Sequence, residues 1–157
     1  MGYRGITEQN FRQIIKIGEI QRHDGNCWAC ALSVVLRVHG INVTENYVTG
    51  LFHEWRIEGI TVNQVEQLVG FFNKNYLSKQ GWVMKTTNTW QGHMTQLIEF
   101  APIQVFIQGH FIVVLGYDDD NGQTTYFDPW DGQVKTVSEQ AFTGLGGPGH
   151  TVYMLRE

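Results

Sequence analysis

A chain of 157 residues with 42% hydrophobic and 13% aromatic content can bury one core and is too short for two ordinary ones. Its formal charge of -4 is mild and its 11 Lys and Arg residues are scattered, which argues against a nucleic-acid footprint or a polybasic membrane patch. Its two cysteines share one run, Cys27-Trp28-Ala29-Cys30, and cannot form a disulfide framework. Met1 to Asn10 lacks an apolar signal segment, and no stretch approaches the ~20 apolar residues of a membrane span. An N-myristoylation reading of Met1-Gly2 fails because Ile6 stands where Ser or Thr is needed. The expectation is one soluble domain without a signal peptide.

In chain order, Ala31, Val34, Val35 and Val38 recur at helical spacing, Asn26 is a candidate N-cap and Gly40 a stop, so a helix is expected from Cys27 to His39. A second is expected from Thr44 to about Trp55. A third begins at Thr61, with Gln64 three residues on in a capping-box pattern and Val65, Leu68, Val69 and Phe72 on one face. After Gly81 the pattern turns to short β-rich runs: Trp82 to Thr86, Ile103 to Ile107, Phe111 to Tyr117, Thr124 to Phe127 and Thr151 to Leu155. One helix is expected among them, near Thr89 to Phe100. Asn121-Gly122 supplies hairpin chemistry between two of these strands. The glycine-rich stretch Gly144 to Gly149 reads as a flexible loop.

A cysteine in the first turn of a helix meets the positive end of the helix dipole and unpaired N–H groups, which favour a thiolate. A thiolate nucleophile needs a histidine to exchange its proton and a third group to fix the imidazole. His110 opens the apolar strand after Gly109, and Asp128 ends the next strand across the hairpin, so antiparallel pairing brings the two together. Pro129 biases Asp128 toward extended backbone. Gln21, six residues before Cys27, can place a side-chain N–H beside the Cys27 backbone N–H around an oxyanion.

Gln21 ahead of Cys27-Trp28, His110 leading an apolar strand into Gly116-Tyr117, and Asp128 with Trp130 two positions on resemble the papain-like cysteine peptidases. The resemblance covers roughly Gln21 to Gly132. The compact length and the runs Gly109-His110-Phe111 and Phe127-Asp128-Pro129 are more similar to two bacterial branches: double-glycine leader peptidases of bacteriocin exporters, and papain-like effector proteases. The resemblance implies that Gln21 is the oxyanion donor, Cys27 the nucleophile, His110 the base and Asp128 its orienting partner. It also implies that the tryptophan, here Trp130, shields the bond between the third residue and the histidine. Two departures stand out: Asp replaces the Asn of papain itself, and no long inhibitory pro-region precedes Gln21.

Simpler readings compete at each position. Cys27 and Cys30 could be a redox pair, but the βαβ context of such pairs is missing, and Cys30 reads as a core residue one turn from Cys27. A zinc site from these cysteines lacks a His-x-x-x-His partner. Asp118 to Asp120 fail the calcium-loop pattern and read as a solvated turn. His23, His39, His53, His93 and His150 read as loop, helix-end or surface residues, with His93 and His150 the fallback bases. Trp28 and Trp130 are core aromatics by default, yet both could line the cleft, and with Gly109 they are the candidate substrate-binding residues. Gly144 to Gly149 carries a weaker expectation of a hinge, or of processing after Gly146-Gly147.

The expected fold is α+β and papain-like: a helical lobe over about 20–78, an antiparallel sheet lobe over about 80–157, and a cleft between them for an extended peptide. The expected reaction is acyl transfer to water, with another acyl transfer (deamidation, transglutamination) or a catalytically silent leader-peptide-binding module as alternatives. A protein or peptide is the expected partner; an activator, an inhibitor or a parent transporter or effector protein is left open, as is the choice between the bacterial cytoplasm and dedicated export. No metal or organic cofactor is implied.

Overall fold

The computed structural model describes residues 2–16, 26–51, 61–87, 97–145 and 150–156. The helix expected from Cys27 runs over Cys27–Val38 (α2), and every residue from Cys27 to Leu36 is buried. A helix apolar on almost all sides belongs inside a core. It ends as its sequence directs, because Gly40 adopts φ 87°, the Gly40 N–H donates to Arg37 O (3.0 Å) and the Ile41 N–H to Leu36 O (2.9 Å). This is a Schellman closure. Its start differs from expectation. Asn26 makes no capping hydrogen bond, and its Nδ2 donates instead to Glu45 Oε2 at 3.1 Å, tying the first turn of α2 to α3 (Glu45–Leu51).

The Thr61 capping box is present: Gln64 N–H donates to Thr61 Oγ1 (3.3 Å) and Thr61 N–H to Gln64 Oε1 (2.8 Å), opening α4 (Val62–Phe72). Val65, Leu68, Val69 and Phe72 are buried as the periodicity requires. The helix then widens into a π turn over Asn73–Leu77 and a short 3-10 turn over Ser78–Gln80. The Asn73 side chain stitches this segment to the sheet, accepting from Met84 N–H (2.7 Å) and donating to Met84 O (3.0 Å).

Seven antiparallel strands form one sheet: β1 Tyr3–Gly5, β2 Trp82–Thr87, β3 Ile103–Ile107, β4 His110–Asp118, β5 Gln123–Asp128, β6 Gln133–Ser138 and β7 Thr151–Arg156. Six run in the order β2-β7-β3-β4-β5-β6, and β1 pairs with the far end of β4. Residues Phe111 to Tyr117 of β4 are all buried, so this strand sits inside two layers. One face carries Phe111, Val113, Leu115, Phe127 and Met154 against α2 and α4; the other carries Ile112, Val114 and Tyr126 against Ile98 and Phe142.

Four elements were not expected: β1, the short helix α1 (Glu8–Arg12) capped by Thr7, β6, and the short helix α5 (Glu139–Thr143) capped by Ser138. Through β1 the sheet takes a strand from the N terminus. The second helix is described only as far as Leu51, and Trp55 lies outside the described residues. Of the helix expected near Thr89 to Phe100, only a 3-10 turn, Ile98–Phe100, falls within them. No described helix is long and apolar enough to cross a membrane.

Candidate active site

Cys27 opens α2 on its first turn and is 7% exposed. His110 is the first residue of β4, directly after a two-residue turn in which Gly109 takes φ 66°, a backbone conformation that suits glycine. Pairing of Val114 with Tyr126 and the period of two along each strand place His110 and Asp128 on one face of the β4–β5 hairpin. His110 Nε2 and Asp128 Oδ1 lie 2.7 Å apart, and the Cys27 side chain is near enough to raise the proton affinity of the same imidazole. With Nε2 committed to Asp128, Nδ1 is the ring nitrogen left for Cys27.

Burial by itself lowers the proton affinity of His110. The hydrogen bonds to Asp128 and Cys27 and the attraction of both outweigh it, and the pKa rises from 6.5 to about 9. Asp128 shows the complementary balance. Burial pushes its carboxyl up, but the bonds from His110, the Trp130 backbone N–H (2.9 Å) and Lys135 hold it down at about 2. At neutral pH the side chains present an imidazolium braced against a carboxylate. With a cysteine near the ring, these residue types can supply a nucleophile, a proton carrier and an anchor, the groups acyl transfer requires.

The remaining candidates fall differently. Gln21 lies outside the described residues, as do His23, His53, His93 and the Gly146-Gly147 step. Trp28 is fully buried in the core cluster, so its place is the core rather than the cleft. Trp130 departs from the core default in the opposite sense, being 59% exposed on the turn after Asp128. Gly109 is exposed beside His110. His39 Nδ1–H donates to Val35 O (2.9 Å) and the ring packs edge-on against Trp82, a structural role at the end of α2. His150 is 5% exposed with Glu66 Oε1 3.9 Å away, buried rather than at the surface. Cys30 is buried, and no disulfide joins it to Cys27. Asp118 forms the expected turn, accepting from the Asp120 and Asn121 N–H groups.

Three residues around the site were not singled out from sequence. Lys135 on β6 reaches Asp128 Oδ2 (3.3 Å) and Asp131 Oδ2 (2.8 Å), and Arg12 on α1 donates from Nη2 to Gly132 O (3.0 Å), holding the turn that follows Asp128. The available signal was the Asp131–Lys135 spacing of four after Asp128-Pro129.

Solved structures that resemble this one include three peptidase domains or proteases. The peptidase domain of Streptococcus ComA, a bi-functional ABC transporter involved in a quorum-sensing pathway, superposes with a TM-score of 0.66 at 18% identity, over 88% of this chain and 96% of that one. A double glycine motif protease from an AMS/PCAT transporter, in complex with the leader peptide, gives 0.61 at 16% identity, over 98% and 99%. The N-terminal peptidase C39 like domain of the toxin secretion ATP-binding protein from Vibrio parahaemolyticus gives 0.57 at 8% identity, over 87% and 100%. No curated protein matches in sequence. The fold is thus the papain-like α+β fold of the C39 peptidase domains. Residues 11–145 match the family model described as Peptidase_C39 like family, and the chain belongs to that family.

Proposed function

We propose that this chain is a cysteine endopeptidase that cleaves a protein or peptide substrate, with Cys27 as nucleophile, His110 as general acid and base, Asp128 as orienting carboxylate and Gln21 as oxyanion donor. The observation that carries this reading is the His110 imidazole, bonded to Asp128 at 2.7 Å and raised in proton affinity by the Cys27 side chain at the first turn of α2. The Cys27 thiolate attacks the scissile carbonyl carbon, and the carbonyl π electrons move onto oxygen. The backbone N–H of Cys27 and the Gln21 side chain receive that oxyanion. As the oxyanion collapses the C–N bond breaks, His110 protonates the departing amine, and a thioester remains. His110 then takes a proton from water, whose oxygen displaces the Cys27 thiolate and releases the acid.

One of the similar structures is a double glycine motif protease bound to a leader peptide. By that likeness the proposed substrate is a peptide or protein carrying an N-terminal leader, cut at a site with small residues. The nearness of Cys27 to a His110 that is held by Asp128 weighs against a binding-only module. Iodoacetamide or E-64 labelling near pH 6, where an isolated thiol is almost wholly protonated, tests the reading. Fast labelling confined to Cys27 and lost in Cys27→Ala and His110→Ala is expected, together with cleavage of a leader-bearing peptide. Labelling as slow as an ordinary thiol, or indifferent to His110→Ala, would overturn it.

A further inference from the structure

We propose that Lys135 is a positioning residue of the reaction, fixing the Asp128 carboxylate so that its other oxygen meets His110. This rests on the reading of Cys27, His110 and Asp128 as the reacting set.

Asp128 Oδ1 has two partners, His110 Nε2 (2.7 Å) and the Trp130 N–H (2.9 Å). Among the described residues neither of these two pairs with Oδ2, which the Lys135 ammonium meets at 3.3 Å. A carboxylate held by one oxygen can rotate about its χ2 torsion, which is broad for Asp. A carboxylate held by both oxygens has a fixed plane. The geometry that delivers Lys135 comes from the sheet. It pairs directly with Tyr126 on β5, and residues 126 and 128 share a face, so the lysine sits diagonally from Asp128.

Lys135 is itself anchored. Asp131 Oδ2 lies 2.8 Å from its Nζ, while Asp131 Oδ1 accepts from the Gln133 N–H (3.0 Å). The turn carrying both aspartates is closed by the Gly132 N–H donating to Asp128 O (2.9 Å), with Gly132 at φ 70°, and is held from α1 by Arg12. The side chains thus alternate in sign, His110 as imidazolium, Asp128, Lys135 and Asp131, so no two like charges adjoin along the line. Arg12 is the further cation at this turn, and its guanidinium meets the Gly132 carbonyl.

A positioning role and a plain charge effect predict opposite signs. Removing a nearby cation without moving Asp128 makes the imidazolium easier to hold and raises the His110 titration midpoint. Releasing the carboxylate plane weakens the His110–Asp128 bond and lowers it. NMR titration of the ¹⁵N-histidine-labelled full chain reads this without a substrate, in wild type, Lys135→Met, Lys135→Arg, Asp128→Asn and the Asp128→Asn/Lys135→Met pair.

The expected result is a midpoint lowered by about one pH unit in Lys135→Met, restored in Lys135→Arg, and not lowered further by Lys135→Met once Asp128 is Asn. An unchanged or raised midpoint in Lys135→Met would overturn the positioning role. If Asp128→Asn itself leaves the His110 midpoint unchanged, the triad reading is what fails. Should Lys135→Met not fold, Lys135→Thr, a strand former too short to reach Asp128, is expected to lower the midpoint in the same direction, and an unchanged or raised midpoint there overturns the proposal.

Discussion

In the proposed mechanism His110 is the residue on which the chemistry turns, because its proton must be present when the amine leaves and absent when water is activated. Burial alone would empty it at neutral pH; Asp128 and Cys27 fill it, with a pKa of about 9. The sign for activity follows. Leaving-group protonation needs the imidazolium, so kcat/KM for peptide cleavage is expected to fall as pH rises through about 9. Asp128→Asn removes the charge that raises His110, and the alkaline limb should move down toward the ordinary imidazole value of 6.5 while the rate drops by orders of magnitude. Stopped-time cleavage assays between pH 5 and pH 10 read both effects, and an alkaline limb unmoved by Asp128→Asn would contradict this account of His110. Cys27, His110 and Asp128 were legible in the sequence because each stands at an element boundary marked by local chemistry: a helix start, a glycine turn and a residue before proline. Lys135 was not legible, since a lysine's partner across a turn depends on strand register.

The same contrast recurs among the elements. The α2 and α4 helices were readable from apolar spacing and caps, and their observed bounds differ from expectation by one residue at the end of α2 and by a continuation into a π turn after α4. That continuation has no periodic signature, because Asn73 is drawn aside by both backbone groups of Met84 on β2. Strand β6 escaped because Val134 and Val137 are three apart and break the period of two. The strand exists because Gln133–Ser138 pairs residue for residue with β5. Strand β1 has only three residues and borrows its order from β4. Where local signal is strong, local change should register. Thr61→Ala deletes the hydroxyl half of the capping box and should destabilise the protein by about 1 kcal/mol, read as a lower urea midpoint with an unchanged slope. Little effect on His110 titration is expected, because α4 reaches the site only through the core.

For the molecule as a whole, the Cys27–His110–Asp128 line joins the helical layer to the sheet, so its ionisation bears on stability as well as on reaction. His110 has its folded pKa raised from 6.5 to about 9, and the stability it contributes is complete below 6.5 and lost as pH rises through about 9. Asp128 is lowered from 3.8 to about 2, so its contribution is present above 3.8 and lost as pH falls toward about 2. These two shifts largely describe one bond and are counted once. On the acid side His39 and His150 add a further loss, since burial lowers both and the unfolded chain takes up their protons more readily. The tyrosines and Lys135 that shift do so upward from 10.0 or 10.5, above the window of interest. Between pH 6.5 and pH 9 the difference between wild type and His110→Gln therefore reports on the His110 imidazolium together with its interactions with Asp128 and Cys27. Urea unfolding under reducing conditions should show the wild-type advantage shrinking across that interval by up to about 3 kcal/mol, whereas the variant should lack this decline. Parallel curves for the two proteins would mean that the imidazolium contributes nothing to folding, and that the hydrogen bonds made by His110 serve reactivity alone.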